Sequence, residues 1–365
     1  MSSTSWNQIE EVIQLVEGNF IVEDKYISDQ EIVFTIDRKT QNIKERFVEL
    51  HSKLRSMNCL PTLRMEETGL TLRVIRGFKP PPSKRSFLIP ILFIATVITT
   101  FLDGYVRATD PLWVEASHLA NINIHPLMYS ALFLVAMMGI VVIHEMGHLT
   151  TLKLRKLKST LPYFLPGIPG FLPTFGAIIV QKEPVVNRDQ LFDLGLSGPV
   201  MGLIATLVVS IFSTQTVVPL TEAIKRLTEG KTVSMQPPIL FSLILLVFKP
   251  QYLKLGVLID PISWAAIVGM IITFLNILPA WELDGGHMSR AVLGSEYGKV
   301  ATFITILLMT LLGYLPMAMM ILIFWMMSGG AQSAPLDDYS PVSPLKKILF
   351  ITSLIIAFLC MPFPF

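Results

Sequence analysis

The segment 144–148, HEMGH, contains the residues of this chain whose types and spacing are best suited to metal binding and catalysis. Two histidines four positions apart lie on one face of a helix and can bind one metal ion, and the glutamate between them can act as a general base. The segment closes an apolar run, 127–143, that has no charged residue. Ionisable side chains in a membrane span are costly and by default mark a functional site. The pattern predicts metal-dependent hydrolysis at or within a bilayer, in preference to a pair of snorkelling or capping histidines.

A catalytic zinc ion needs a third protein ligand besides His144 and His148, and the neighbouring sequence offers none. Residues 149–155, LTTLKLR, contain no histidine, and the next acidic residue is Glu183, which follows a proline-rich stretch. We therefore expect the third ligand to come from a distant segment, and 276–287, NILPAWELDGGH, is the best candidate.

Asp284 is the residue of this distant segment that we expect to reach the metal. Pro279 ends the preceding apolar helix, and the glycine pair at 285–286 permits an unusual backbone, so the carboxylate can be aimed at the site. Asp284 could also N-cap a short helix from about Gly286 to Leu293, and the two roles are compatible. Glu282 and His287 are weaker ligand candidates, and His287 could support a ligand instead of binding the metal.

The composition divides the chain into a soluble part and a membrane part. The 365 residues are 52% hydrophobic and only 15% charged, and the charged residues are concentrated in the first 85, whereas soluble domains have about a quarter charged residues. Residues 1–80 are predicted to form a small α+β domain and residues 81–365 a membrane-embedded domain, with a core at 86–330 and a C-terminal helix at 345–363.

The N-terminal domain has recognisable strand and helix patterns but no catalytic constellation. A proline-rich basic linker, 77–85, follows it at the membrane surface. The predicted elements are strands at 31–36, 62–66 and 70–75 and an amphipathic helix at 42–57.

Apolar runs predict about six or seven transmembrane helices. The run 237–248 is too short to span easily, and 299–327 fits one tilted helix or a hairpin broken near Gly313–Pro316. The other predicted spans are 86–102, 126–149, 191–212, 257–279 and 348–363.

Basic residues predict the orientation of these spans, because cytoplasmic loops are enriched in Lys and Arg. Lys79, Lys84 and Arg85 precede the first span, and a second basic cluster at 153–158 follows the second span. We expect a multi-pass protein of the cell membrane with a cytosolic N-terminal domain, an external loop at 103–125 and the HEMGH segment near the cytoplasmic face. His144, His148 and Asp284 can then meet only if the chain crosses the membrane an even number of times between them.

A proline-rich apolar segment, 161–180, is predicted to form a re-entrant loop or hairpin beside the site. Its four prolines exclude a regular spanning helix. The alternative is an interfacial loop that only anchors the protein. A hairpin could offer a strand edge to an extended substrate, and the predicted substrate-binding residues are Phe175, Gly176, Ala177, Ile178 and Ile179.

Other ionisable residues have structural interpretations. Asp103 ends the first span and should face the interface, and Asp193 begins the third span and could cap it. His118 and His125 are expected to be loop residues, and His51 a solvated side chain on a charged helix face.

Several classes of protein are disfavoured. Cys59 and Cys360 lie in different parts of the chain, so neither a disulfide framework nor a cysteine zinc site is expected. No basic stripe with aromatic residues indicates a nucleic-acid partner. The N-terminal sequence shows neither a signal-peptide pattern nor a typical organelle transit pattern, so neither kind of leader is expected.

Four ordered motifs resemble those of the site-2 protease family of intramembrane zinc metalloproteases. HEMGH is followed far downstream by Asn276-x-x-Pro279-x4-Asp284-Gly285. Between them, 170–177 (GFLPTFGA) is similar to a segment with a Gly-Thr-Phe-Gly-Ala core found in one branch of the family, although Pro173 replaces the first core glycine. Residues 197–202 (SGPVMG) resemble the family's Gly-Pro-x-x-Gly element, whose small residues also let membrane helices pack closely. The resemblance covers about residues 86–330, and this branch often carries an N-terminal extension.

The resemblance implies His144, His148 and Asp284 as ligands of one zinc ion and Glu145 as the base that activates water. It implies that Asn276 lies near the metal and helps to hold the substrate or the oxyanion. The implied substrates are transmembrane segments of membrane proteins, in contact with the lipid bilayer, cleaved near the cytoplasmic face.

Two functions other than that of a zinc metalloendopeptidase agree with part of this pattern. A membrane metal carrier could use the same His/Asp cluster, but it would need neither Glu145 as a base nor a broken apolar loop. A catalytically inactive membrane adaptor would not require the HEMGH segment and Asp284, so their presence argues against this function.

Overall fold

The structure, a computed structural model, describes residues 3–79, 81, 86–230, 236–329 and 332–362. Most of the predicted basic linker, including Lys84 and Arg85, lies outside these ranges. The description begins with a small α+β region, 3–79, which we call the N-terminal region, and continues with a mainly helical region.

The N-terminal region is one antiparallel sheet covered by two helices. Its strands lie in the order β1-β2-β4-β3, which leaves β1 and β3 at the edges. Its elements are α1 (Ser3–Glu17), β1 (Val22–Ile27), β2 (Glu31–Ile36), α2 (Ile43–Ser56), β3 (Leu60–Glu66) and β4 (Gly69–Ile75).

Alternating side chains build the core of the N-terminal region. Ile32, Phe34 and Ile36 of β2 all point inward, as the two-residue period of a strand requires. They pack against apolar residues of α1 and α2. The predicted strands and helix are confirmed, but the prediction missed α1 and β1. Strand β1 is an exposed edge with charged side chains, so it lacks an alternating apolar pattern.

The second region consists mainly of helices, with two antiparallel pairs of strands among its described residues. Its elements are α3 (Leu88–Ala108), α4 (Pro111–Leu119), α5 (Pro126–Leu154), β5 (Tyr163–Ile168), β6 (Leu172–Ile178), α6 (Arg188–Ser213), β7 (Val218–Pro219), α7 (Glu222–Thr228), α8 (Ile239–Phe248), α9 (Tyr252–Leu255), β8 (Val257–Leu258), α10 (Pro261–Ile277), α11 (Asp284–Leu293), α12 (Ser295–Leu311), α13 (Leu315–Met327) and α14 (Pro344–Cys360). Strand β5 pairs with β6, and β7 pairs with β8.

Three of the described helices, α3, α5 and α6, are long and apolar enough to cross a membrane. Helices α8, α10 and α13 are apolar but shorter. The apolar run 299–327 is a hairpin, α12–α13, broken at the predicted position. Helix α10 begins later than predicted, at Pro261, because the Asp260 carboxylate caps it by accepting the Ser263 N–H at 2.8 Å.

The first span is longer than predicted, and the expected external loop at 103–125 is largely helical. Asp103 lies inside α3 with no exposed surface, so the expectation that it faces the interface was wrong. Its carboxylate accepts the Arg107 Nε–H at 2.7 Å and the Gly170 N–H at 2.7 Å. His118 belongs to α4 and His125 caps α5, so neither is a loop residue.

Helix α6 is the centre of the helical region and contacts α5, α10 and α11. Asn187 caps it by accepting the Gln190 N–H at 3.0 Å. The expectation that Asp193 is the cap was therefore wrong. Asp193 instead pairs with Arg155 at 2.7 Å and Lys346 at 2.6 Å, which ties the start of α6 to the C-terminal end of α5 and to the first turn of α14.

Candidate metal centre

Two histidines and one aspartate meet in the interior of the helical region. The Nε2 atoms of His144 and His148 are 3.2 Å apart, and each lies 3.3 Å from one carboxylate oxygen of Asp284. Donor atoms around a tetrahedral zinc with bonds of 2.0–2.1 Å are about 3.3 Å from one another. Among the described residues this is the only group of three potential ligands so close together.

The histidine arm of the cluster is helix α5 with His144 and His148. Because the two residues are four apart, their side chains lie one above the other on the same face. The Nδ1 atom of His148 donates a hydrogen bond to the Leu194 carbonyl at 3.0 Å. A carbonyl only accepts, so this bond leaves the Nε2 lone pair directed into the cluster.

Helix α6 reaches the histidine arm through glycines. A Cβ atom at Gly198 would overlap the imidazole of His148, and one at Gly202 would come within 2.9 Å of Nδ1 of His144. The predicted close helix packing at these small residues is confirmed. Its consequence is specific, because the two glycines form the wall against which the histidine rings lie.

The aspartate arm is the loop 278–283 followed by helix α11, whose first residue is Asp284. The expectation that Asp284 caps a helix from about Gly286 was wrong, because Leu283 is the cap residue and Asp284 starts the helix with its side chain toward the histidines. Gly285 and Gly286 pack directly on the backbone carbonyls of Ile277 and Trp281. Only glycine allows that approach.

Segments from the α12–α13 hairpin hold this loop in place. Trp281 adopts a left-handed conformation with φ of 42°, and its backbone N–H donates to Thr302 Oγ1 of α12 at 3.0 Å. Its indole N–H donates to Ser328 Oγ at 2.7 Å, and its ring stacks on Phe324. The aspartate arm therefore depends on contacts far from it in sequence.

The other predicted site residues differ in their burial and in their contacts. Glu145 is buried and interacts electrostatically with all three members. Asn276 is half-buried in the last turn of α10, and its side-chain amide makes no hydrogen bond within the described chain. Glu282 accepts hydrogen bonds from Ser333 and lies 3.8 Å from His287, so these two weaker ligand candidates are outside the cluster.

The proline-rich segment forms the predicted hairpin, β5–β6. Strand β6 contacts α5 and, within the described chain, pairs only with β5, so its second edge has no strand partner. A bulge opposite Leu165 contains Phe175 and Gly176, with φ of 85° at the glycine, and such a bulge redirects neighbouring side chains.

The predicted substrate-binding residues differ in their exposure along this strand. Phe175 and Ile178 are exposed, whereas Gly176, Ala177 and Ile179 are partly buried. Phe175 and Ile178 are therefore accessible from outside, whereas the other three residues are partly covered by the protein.

Several structural contacts of this region were not predicted from the sequence. The Leu194 carbonyl has no side-chain signal, and Asp103 was assigned to the interface although it fastens the hairpin turn to α3. His51 was expected to be solvated, but it is buried where α2 packs against the segment that follows α5. The position of Asp103 within an apolar run was a signal in the sequence that its side chain could be buried. The residues around His51 in α2 gave no such signal.

Comparison with known proteins gives consistent matches. A family model described as Peptidase family M50 matches residues 132–317. A protein of Arabidopsis thaliana named probable zinc metalloprotease EGY1, chloroplastic, is 33% identical over 203 residues, 53% of this chain and 34% of the relative. One of Oryza sativa subsp. indica named probable zinc metalloprotease EGY2, chloroplastic, is 27% identical over 251 residues, 65% of this chain and 43% of the relative. The chain thus spans less than half the length of either relative.

Proposed function

Because this chain belongs to peptidase family M50, the site-2 protease family, we propose that it is a zinc metalloendopeptidase that acts within the membrane. One observation carries the proposal. His144 and His148, on a helix long enough to cross a membrane, meet Asp284 from a distant segment at the spacing of a metal site. The relatives are named as zinc metalloproteases, which agrees with this chemistry and gives no support to the metal-carrier alternative.

We propose that the cluster holds one zinc ion per chain. Two imidazole nitrogens and one carboxylate oxygen are the donors that zinc accepts in catalytic sites, where the fourth position stays open. The bond from His148 to the Leu194 carbonyl is the support that metal-binding histidines commonly have. The glycine wall keeps room for both rings.

The proposed chemistry assigns separate tasks to Glu145 and Asn276. Bound at the cluster, zinc would polarise the scissile carbonyl and lower the pKa of the attacking water. Glu145 takes the proton from that water and passes it to the leaving nitrogen. Asn276, in the last turn of α10, donates its amide N–H to the developing oxyanion.

We propose transmembrane segments of membrane proteins as the substrates. Peptide bonds in a helix are shielded by their own hydrogen bonds, so a substrate must be locally extended before cleavage. The open edge of β6 would pair with such a strand, with Phe175, Gly176, Ala177, Ile178 and Ile179 in contact with it.

We also propose a multi-pass arrangement with six or seven spans in the cell membrane, with residues 1–80 as a separate domain and 81–365 as the membrane-embedded one. Basic residues at the end of α5 support a cytoplasmic position for that end. The N-terminal region would lie on the same side, because Arg55 donates to the Lys156 carbonyl at 3.0 Å.

Comparison of wild type with Glu145→Gln tests the proposed activity. Both proteins are co-expressed with candidate single-span membrane proteins, and both are purified for zinc analysis. We expect equal zinc content, whereas cleavage should fall by about 100-fold or more because the base is lost. His118→Gln, on the exposed surface of α4, serves as the control and should cleave normally. Wild-type protein without stoichiometric zinc would refute the proposal, as would unchanged cleavage by Glu145→Gln.

A further inference from the structure

Asp338 is the meeting point of three arginines from three separate parts of the fold. Its carboxylate binds the guanidinium of Arg290 through two hydrogen bonds of 3.0 and 2.5 Å. Arg188 Nε donates to the same carboxylate at 3.1 Å, and Arg64 Nη1 at 3.3 Å. Arg188 also donates to the Asp338 carbonyl at 2.6 Å. We call these four residues the Asp338 cluster.

The arginines of the Asp338 cluster link the N-terminal region to the helices around the metal centre. Arg64 belongs to β3, the edge strand of the N-terminal sheet, and Arg188 is the first residue of α6. Arg290 belongs to α11, the helix that begins with Asp284. One carboxylate therefore joins the N-terminal region, the central helix and the aspartate arm.

Backbone pairing fixes the position of Asp338 independently of its side chain. The Leu63 N–H donates to the Leu336 carbonyl at 2.8 Å, and the Asp338 N–H donates to the Leu63 carbonyl at 3.1 Å. On the other side, Leu336 and Asp337 donate to the carbonyls of Val185 and Val186 at 2.9 and 2.8 Å. The segment 336–338 thus lies as a short strand between β3 and the residues that precede α6, and it covers the β3 edge.

Burial makes the contact between Arg290 and Asp338 important. The Arg290 side chain is only 4% exposed and that of Asp338 only 13%. A bidentate Arg–carboxylate pair fixes both distance and orientation, and removal of one partner leaves a buried charge without compensation. The end of α11 is therefore held to the surface made by the N-terminal region and segment 336–338.

Helix α11 is short enough to transmit this restraint to the metal centre. Arg290 follows Asp284 by six positions, about 9 Å along a helix. At its start, α11 is held by the loop 278–283, and near its end by Asp338. A displacement of either attachment would move the Asp284 carboxylate relative to the histidine arm.

We propose that Arg290, Asp338 and Arg64 are positioning residues, through which the docked N-terminal region holds Asp284 within reach of His144 and His148. The affinity of the centre for zinc then depends on a contact with a domain that contributes no ligand. This inference rests on the proposed zinc centre, and it assigns the N-terminal region a role in maintaining that centre.

Zinc affinity of the full chain in detergent tests the inference by competition with a chromophoric chelator. We expect Asp338→Asn to raise the dissociation constant by about 10-fold or more, the usual effect of losing a support around a metal site. Arg64→Ala removes only the side-chain contact between the N-terminal region and the Asp338 carboxylate, and it should raise the dissociation constant by about 2- to 5-fold. Arg73→Ala is the matched control, because Arg73 is similarly exposed and pairs with Glu31 and Glu66 within the N-terminal region.

Cobalt substitution adds a readout of geometry, because its absorption bands report the ligand arrangement of the centre. Changed bands in Asp338→Asn and Arg64→Ala, with unchanged bands in Arg73→Ala, support the proposal. If Asp338→Asn does not fold, the half-exposed Arg64→Ala decides the question. Zinc binding by Arg64→Ala as tight as that of Arg73→Ala overturns the inference while the zinc centre stays intact. Wild-type protein that binds no zinc overturns the proposed function and the inference together.

Discussion

The histidine arm and the aspartate arm of the candidate metal centre are built by different means. His144 and His148 are placed by one continuous helix, so their relation to each other follows from helix geometry alone. Asp284 follows a broken helix and a loop with a left-handed residue, and it precedes two glycines in close backbone contact. Its position depends on α12, on α13 and on the Asp338 cluster.

The geometry of the histidine arm is therefore determined locally by its helix, whereas that of the aspartate arm is determined by tertiary contacts. Changes within α5 that keep it helical should leave the two imidazoles in register. Changes at remote residues should act on the aspartate arm, because several weak restraints combine there and each can be removed separately. The predictions below test that asymmetry, beginning with the changes that remove one arm completely.

Removal of a ligand from either arm should have the same large effect. His148→Ala and Asp284→Ala each leave two protein ligands, so we expect zinc affinity to fall by more than about 100-fold and cleavage to disappear. Metal analysis after dialysis against a weak chelator measures this, with Glu145→Gln as a control in the same pocket. Stoichiometric zinc in Asp284→Ala would show that the aspartate arm is not part of the centre.

A methyl group added to the glycine wall, which belongs to α6, should disturb the histidine arm in α5. A Cβ atom at Gly198 would overlap the His148 ring, so Gly198→Ala should displace that imidazole and weaken zinc binding by about 10-fold or more. Gly139→Ala is the control, because it adds the same methyl group to α5 where no atom lies within 4 Å. Equal zinc affinity in the two variants would contradict the packing seen here.

Loss of a single hydrogen bond should weaken the aspartate arm to a smaller extent. Trp281→Phe keeps an aromatic ring on Phe324 but removes the indole donor to Ser328, a bond contributing about 1 kcal/mol. We expect zinc affinity to fall by at most about 5-fold.

Trp325→Phe is the matched comparison for Trp281→Phe. The buried indole N–H of Trp325 has no hydrogen-bond partner within the described chain, so its removal should leave zinc affinity unchanged. If Trp325→Phe weakened zinc binding as much as Trp281→Phe, aromatic packing in α13 would be the cause, and the indole bond would not be a restraint on Asp284.

The histidine arm could be predicted from the sequence more completely than the aspartate arm. The HEMGH spacing predicts the histidine arm because helix periodicity determines it. Pro279 and the glycine pair identify Asp284 as a candidate, but its place as the first residue of α11 depends on contacts made by Trp281. The Asp338 cluster has no local signal, because the segment 336–338 gains its role only by pairing with β3 and residues 185–186.

In the N-terminal region, the periodicity of the sequence does not predict every strand or the burial of every side chain. Strand β2 alternates clearly and was predicted, whereas β1 lies at a charged edge and was missed. His51 was assigned to the solvent face of α2 because its neighbours in the helix are charged. The face is covered by residues 157–158 and 183–184, which a helix pattern cannot reveal.

His51 provides a prediction about stability instead of zinc affinity, at the contact between the N-terminal region and the chain that follows the histidine arm. It lines a cleft of about 130 Å³ with Arg55, Leu157, Lys158 and Glu183. Burial, together with the Arg55 cation, lowers the pKa of His51 to about 4, and Glu183 opposes this shift.

The sign of the resulting pH dependence follows from the lowered pKa of His51. The unfolded chain takes up the proton near pH 6.5, whereas the folded chain does so only near pH 4, so stability is lost as the pH falls through this interval. The loss is up to about 3 kcal/mol, since each pKa unit corresponds to about 1.4 kcal/mol.

Thermal unfolding of the full chain at pH 7 and pH 5 measures this effect. His51→Gln should show a smaller decrease between the two pH values than wild type, because it has no proton to take up. His118→Gln, which removes an exposed histidine of α4, should behave as wild type. If His51→Gln and wild type lose the same stability on acidification, burial of a neutral His51 against Arg55 and Glu183 is not what links the N-terminal region to the end of α5.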